Sequence, residues 1–189
     1  TFHIISGGNM KKIIAVILLT LVFTGCGSNL MNTPTKKVEA MLNNYITLDS
    51  KVIEDLDETL LTETIMNNDQ KEHYKKILKR QYQNLSYTIK DETIDGDKAT
   101  VEVEINVYDY YKINKESEAY LNNNIKDFTN EDGTKNLTKY NDYKLDNLDK
   151  AKDKITYTLN LTLHKTSDNC VLDDLTDVEI SKIHGLYAY

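Results

Sequence analysis

Ile155, Tyr157, Leu159, Leu161 and Leu163 alternate without a break with Thr156, Thr158, Asn160 and Thr162. A period of two puts every apolar side chain on one face of a strand and every polar one on the other. A second stretch repeats the pattern, with Ala99, Val101, Val103, Ile105 and Val107 set between Thr100, Glu102, Glu104 and Asn106. Such strands are half-buried and antiparallel, and their apolar faces need a cover. Only helices elsewhere in the chain can supply it, which makes the domain α+β: helices packed on one face of an antiparallel sheet of about four strands.

The cover lies mostly ahead of the strands. Thr33-Pro34 reads as an N-cap followed by a first-turn proline. Val38, Met41, Leu42, Tyr45 and Ile46 then form one apolar stripe of an amphipathic helix. Val52, Ile53, Leu56, Leu60 and Leu61 continue as a second helical stretch, either joined to the first or separate. Asp69 with Glu72 reads as a capping box, and Tyr74, Ile77, Leu78, Tyr82 and Leu85 mark a third helix. Tyr87 and Ile89 open the first strand, and Asp95-Gly96 signals a tight turn into the second, because such turns need positive φ. That second strand is expected to run on through Tyr108-Asp109-Tyr110-Tyr111. Residues 114–153 read as a helical insertion of two short helices around a polar turn at Asn130 to Gly133. After the third strand, Ser167-Asp168-Asn169 turns the chain and Cys170 to Leu172 returns it. Thr176 with Glu179 caps a brief last helix, which Gly185 ends. Residues 34–189 thus read as a single domain.

The start of the chain has a different character. Lys11 and Lys12 precede an apolar run from Ile13 to Phe23, and small residues Thr24 and Gly25 precede Cys26. Positive, apolar and small-residue regions in that order are the layout of a secretory signal peptide. The run falls well short of the roughly 20 apolar residues that span a bilayer. Phe23-Thr24-Gly25-Cys26 resembles the lipobox of bacterial lipoproteins. The resemblance implies cleavage between Gly25 and Cys26, lipidation of the Cys26 thiol, and a membrane-lipid anchor on the extracytoplasmic face of the cell membrane. Residues 10–25 are then the signal peptide and 26–33 a tether. Ser6-Gly7-Gly8-Asn9 sits just ahead of Met10-Lys11-Lys12, and Gly-Gly can be encoded by a ribosome-binding sequence. Residues 1–9 are therefore expected to be translated upstream leader, with Met10 the start.

Losing residues 1–25 removes only Lys11 and Lys12 among the charged residues, so the net charge moves from −7 to −9. An acidic chain is a poor nucleic-acid binder, because phosphate contacts need clustered Lys and Arg. The one basic cluster, Lys71 to Arg80, is interrupted by Glu72 and reads as a solvated helix face. Abundant Asn, Lys, Ile and Asp fit the AT-rich genome of a low-GC Gram-positive bacterium. With Cys26 spent on lipid, Cys170 alone cannot build an internal disulfide framework; it reads as a small buried apolar group.

The order of helices, strands, and a final Cys170-Val171-Leu172-Asp173-Asp174-Leu175-Thr176 to Gly185-Leu186-Tyr187 segment resembles the cystatin-like fold of nuclear transport factor 2-like domains. That resemblance implies N-terminal helices lying on a curved sheet, and no particular activity. No catalytic signature accompanies it. His73, His164 and His184 fall in different elements with no metal-ligand spacing, and no cofactor or metal is expected. Glu102 and Glu104 share a strand face that reads as solvated surface. Tyr108 and Tyr110 extend that face, either as a binding or dimerising surface or as a cap on the sheet end. Tyr157 lies on the apolar face, as core or as the wall of a pocket. The functional expectation is a non-enzymatic lipoprotein that binds a small ligand or an envelope protein, with the ligand entering between helix 34–46 and the sheet. The alternative is a structural or protein-interaction module, a homodimer through Tyr108 and Tyr110; an enzyme of the same fold is less favoured.

Overall fold

The computed structural model describes residues 32–166 and 169–189. The expected leader, the signal peptide, Gly25, Cys26 and most of the tether lie outside the described residues, as do Ser167 and Asp168 of the last turn. Helices α1 (Pro34–Thr47), α2 (Ser50–Thr62) and α3 (Asn68–Gln83) come first. Strands β1 (Ser86–Asp95) and β2 (Lys98–Tyr108) form a hairpin. Helix α4 (Tyr110–Asn123), a 3-10 turn (Ile125–Phe128) and helix α5 (Leu137–Asp149) follow. Strands β3 (Lys154–Lys165) and β4 (Cys170–Leu172) and helix α6 (Asp177–Ile183) complete the domain. The sheet is antiparallel throughout and its order is β1-β2-β3-β4.

The two alternating stretches pair with each other in register. Val101 faces Leu161, Val103 faces Leu159 and Ile105 faces Tyr157, so both apolar sets share one face. Val38 and Leu42 of α1 and Leu78 and Tyr82 of α3 pack against that face. Each Val or Leu so buried contributes on the order of 2 kcal/mol relative to an exposed one. The opposite face carries Thr156, Thr158, Asn160 and Thr162, all exposed, and Glu104 pairs there with Lys90 at 3.1 Å.

Thr33 caps α1, accepting from the Lys36 N–H, and Pro34 opens it. Helices α1 and α2 are separate. Leu48 takes a left-handed conformation (φ 55°) and Asp49 caps α2, its side chain accepting from the Lys51 N–H. The start of α3 corrects the capping box expected at Asp69 and Glu72. Asn67 and Gln70 form it, two residues earlier, each side chain accepting from the other's backbone N–H. The hairpin turn is tight as expected, with Asp95 facing Lys98 and Gly96 at φ 59°.

Strand β2 stops at Tyr108 and does not continue to Tyr111. Asp109 is the N-cap of α4, accepting from the Lys112 N–H at 2.9 Å. The insertion therefore begins at residue 110 and not 114. Tyr108 faces Lys154 across the sheet, and the Asp109 N–H donates to the Asp153 carbonyl. The inserted helices thus leave and re-enter at the same end of the sheet. There Ile77, Tyr110, Leu145, Leu148 and Ala151 build a second apolar cluster. Asn130 to Gly133 is a polar turn, held by Asp132 accepting from the backbone and hydroxyl of Thr134. Cys170 is buried in the main core.

Candidate functional site

The interface between α1 and the sheet is packed core. Val38 and Leu42 are fully buried against Val101, Val103 and Ile105, so side chains fill the space where a ligand was expected. An opening lies instead beside α2. It is a cleft of about 500 Å³ between α2 and α6, closed at its base by the ends of α1 and α3.

Val52, Asp55, Leu56 and Thr59 recur along α2 at helical spacing, so one stripe of that helix faces the cleft. Tyr45 comes from α1, Tyr82 from α3 and Ile180 from α6. His184 follows α6, which the Thr176–Glu179 capping box starts and Gly185, at φ 70°, ends. That geometry sets His184 Nε2 2.8 Å from the Tyr82 hydroxyl. The Tyr45 and Tyr82 rings meet edge to face, 5.0 Å between centroids.

Burial governs the protonation of this group. It pushes the Tyr82 hydroxyl far above the usual tyrosine range and His184 down to about 4. Tyr45 is raised as well, by burial first and by the Asp55 carboxylate second. Near neutral pH the base of the cleft is therefore an uncharged imidazole and an uncharged phenol joined by a hydrogen bond. Asp55 and Glu58 supply the charge, at the rim. Among the described residues, no group of three or more His, Cys, Asp and Glu side chains could hold a metal ion. No helix among them is long and apolar enough to cross a membrane.

No protein-family model, curated protein or solved structure matches this chain.

The tyrosines singled out from the sequence lie elsewhere. Tyr110 is 0 % exposed and its hydroxyl donates to the Ile77 carbonyl. It cannot extend an outer sheet face, because the strand has already ended. The shared outer face expected of Tyr108 and Tyr110 is corrected on that ground. The Tyr108 ring stacks on Tyr110 at 6.1 Å and lies under the Arg80 guanidinium at 4.4 Å. Tyr157 is core: it is buried, its hydroxyl donates to the Tyr187 carbonyl at 2.9 Å, and burial raises it to about 12. His164 points outward, as its parity predicts, and pairs with Asp173 at 2.5 Å.

Sequence reasoning missed the pairing of Tyr82 with His184 and the use of Arg80. Tyr82 was visible only as one member of an apolar stripe. His184 carried no local signal, since its partner belongs to a helix far away in the chain. Arg80, read with a solvated cluster, donates to the Asp149 and Ala151 carbonyls. Its cation thus sits at the C-terminal end of α5, where the helix dipole favours positive charge.

Proposed function

We propose that this chain is a lipid-anchored, extracytoplasmic lipoprotein whose α+β domain binds a small ligand in the α2–α6 cleft without transforming it. The anchor rests on the sequence: Lys11-Lys12, the apolar run to Phe23, and the lipobox-like ending at Gly25 and Cys26. Cys26 then joins the protein to membrane lipid, and a thioether-linked diacyl group gives the two chains that stable anchoring needs. Helices on one sheet face are the architecture that the resemblance to nuclear transport factor 2-like domains implies.

The observation that carries the binding half is the Tyr82–His184 pair at the base of an open cleft of about 500 Å³. A few polar groups converging in a mostly apolar concavity are the usual composition of a ligand site. The same pair argues for binding over catalysis. A general acid or base works best with its pKa near the ambient pH. His184, near 4, is a weak base, and Tyr82 is a very weak acid.

Two experiments test the halves separately. Detergent phase partitioning of cells expressing the whole chain should place it in the detergent phase and move Cys26→Ala to the aqueous phase; identical partitioning removes the anchor. Thermal-shift screening against metabolites and wall fragments should give hits that Thr59→Trp, which fills the mouth of the cleft, abolishes. Hits that survive Thr59→Trp would move the site elsewhere.

A further inference from the structure

We infer that the α2–α6 cleft takes a small organic ammonium ion carrying an apolar body. The inference rests on reading the cleft as a ligand site and adds the class of ligand.

The cleft has a two-part lining. Its inner part is aromatic and aliphatic, with Tyr45 and Tyr82 edge to face and Leu56 buried beside them. Its rim carries Asp55 and Glu58, one turn apart on α2. Among the lining residues there is no Lys or Arg, and His184 is held neutral by its burial. The lining therefore carries negative charge only. An anionic ligand would meet like charge at the entrance, and a neutral one would gain no charge attraction from the carboxylates. An ammonium group pairs with the rim while its apolar part covers the half-buried Tyr45, Val52 and Ile180, and a tyrosine face also attracts cations.

The structure shows an ammonium already seated on this rim. Lys51 Nζ lies 2.7 Å from Asp55 Oδ1, reaching it from outside the cleft. Both side chains are largely exposed, and an exposed pair of this kind is weak. A ligand ammonium can replace it without disturbing the fold. Lys51 is then an internal competitor for the ligand's charged group. Divalent metal is a poorer occupant, because two carboxylates one turn apart fall short of a hard cation's usual ligand number.

The test uses three probes with the same tail, hexylamine, hexanol and hexanoate, titrated into the whole chain in low salt near neutral pH. The Tyr82 and His184 ring signals are followed by NMR. Hexylamine should bind roughly tenfold more tightly than hexanol, and hexanoate should not bind. Asp55→Asn and Glu58→Gln should each weaken hexylamine severalfold and leave hexanol unchanged. Lys51→Ala should tighten hexylamine more than Lys90→Ala, which removes the same charge from the outer sheet face, and should leave hexanol unchanged; equal tightening by the two variants would overturn the competition. Hexanol binding as tightly as hexylamine, or hexanoate binding best, overturns the ammonium assignment while the ligand site stands. If none of the three probes moves the Tyr82 and His184 signals, the ammonium assignment falls, and the thermal-shift screen with Thr59→Trp decides separately whether the cleft is a ligand site.

Discussion

Gly185 and Gln81 show how much can rest on single residues. A Cβ on Gly185 would lie 2.1 Å from the Tyr108 carbonyl oxygen and 2.4 Å from the Gln81 amide nitrogen, at a backbone φ of 70°. Gln81 is fully buried, and its side-chain amide both accepts from the Tyr108 N–H and donates to the Tyr108 carbonyl. It therefore acts as a short substitute strand at the end of β2. Gly185→Ala adds a steric clash to conformational strain and should destabilise the domain by more than about 2 kcal/mol. Gln81→Leu leaves a backbone donor and acceptor unpaired and should cost about 2–4 kcal/mol. Urea unfolding of both variants beside the parent chain measures these losses; a midpoint unchanged in either would show that the contact is dispensable. Gly185 was legible as a helix stop, because the left-handed region is a local requirement. Its approach to Tyr108 was not, since nothing near it in sequence refers to β2. Gln81 did leave a trace: it lies four residues after Ile77, inside an apolar stripe, where a polar side chain must find partners.

Strand β1 is the element that departs furthest from its sequence pattern. Ile89 faces Val103, but Asp91 faces Glu102, so Lys90 is an extra residue in a bulge. The bulge reverses the parity of everything after it. Glu92 then comes to the face of Val101, and its carboxylate accepts from the Thr35 N–H at 3.0 Å and the Thr35 hydroxyl at 2.6 Å. A negative charge is thereby placed at the N-terminus of α1, where the helix dipole favours it. Glu92→Gln keeps the shape and removes the charge, and should cost about 1 kcal/mol, measured as a lower melting temperature that Glu92→Asp does not fully restore.

At the far edge, three-residue β4 is fastened by His164 and Asp173, with Thr162 also donating to the carboxylate. These bonds hold Asp173 below the usual carboxylate range, the His164 bond contributing most. An aspartate depressed in the folded state adds stability above its unfolded pKa and loses it as pH falls through the folded value. His164→Ala should therefore raise the Asp173 pKa in an NMR titration and shift the onset of acid unfolding to higher pH.

For the molecule as a whole, His184 is the group that ties the cleft to stability. Its folded pKa, about 4, lies below its ordinary value of 6.5. Between those values the unfolded chain holds the extra proton and the folded chain does not, so stability rises with pH across that window. The contribution is complete above the ordinary value and is lost as pH falls towards 4, a loss on the order of a few kcal/mol. Melting curves near pH 7 and pH 5 should differ more in the parent than in His184→Gln, and an equal difference would mean that His184 does not stay neutral in the fold. The kind and order of the elements were determined by the sequence alone. Periods of two and of three to four residues, caps and turn glycines are local geometry, and a side chain's face follows from its position along its own backbone. Helices first, a one-faced antiparallel sheet and a helical insertion were all legible in that way. The site was decided only by tertiary structure. A cleft is the space left between elements that do not close on each other, and here its walls are set by a left-handed Leu48 that separates α1 from α2 and by Gly185, which ends α6 at His184. Tyr82 and His184 meet because two helices 102 residues apart in the chain converge, and no periodicity along either helix encodes that meeting.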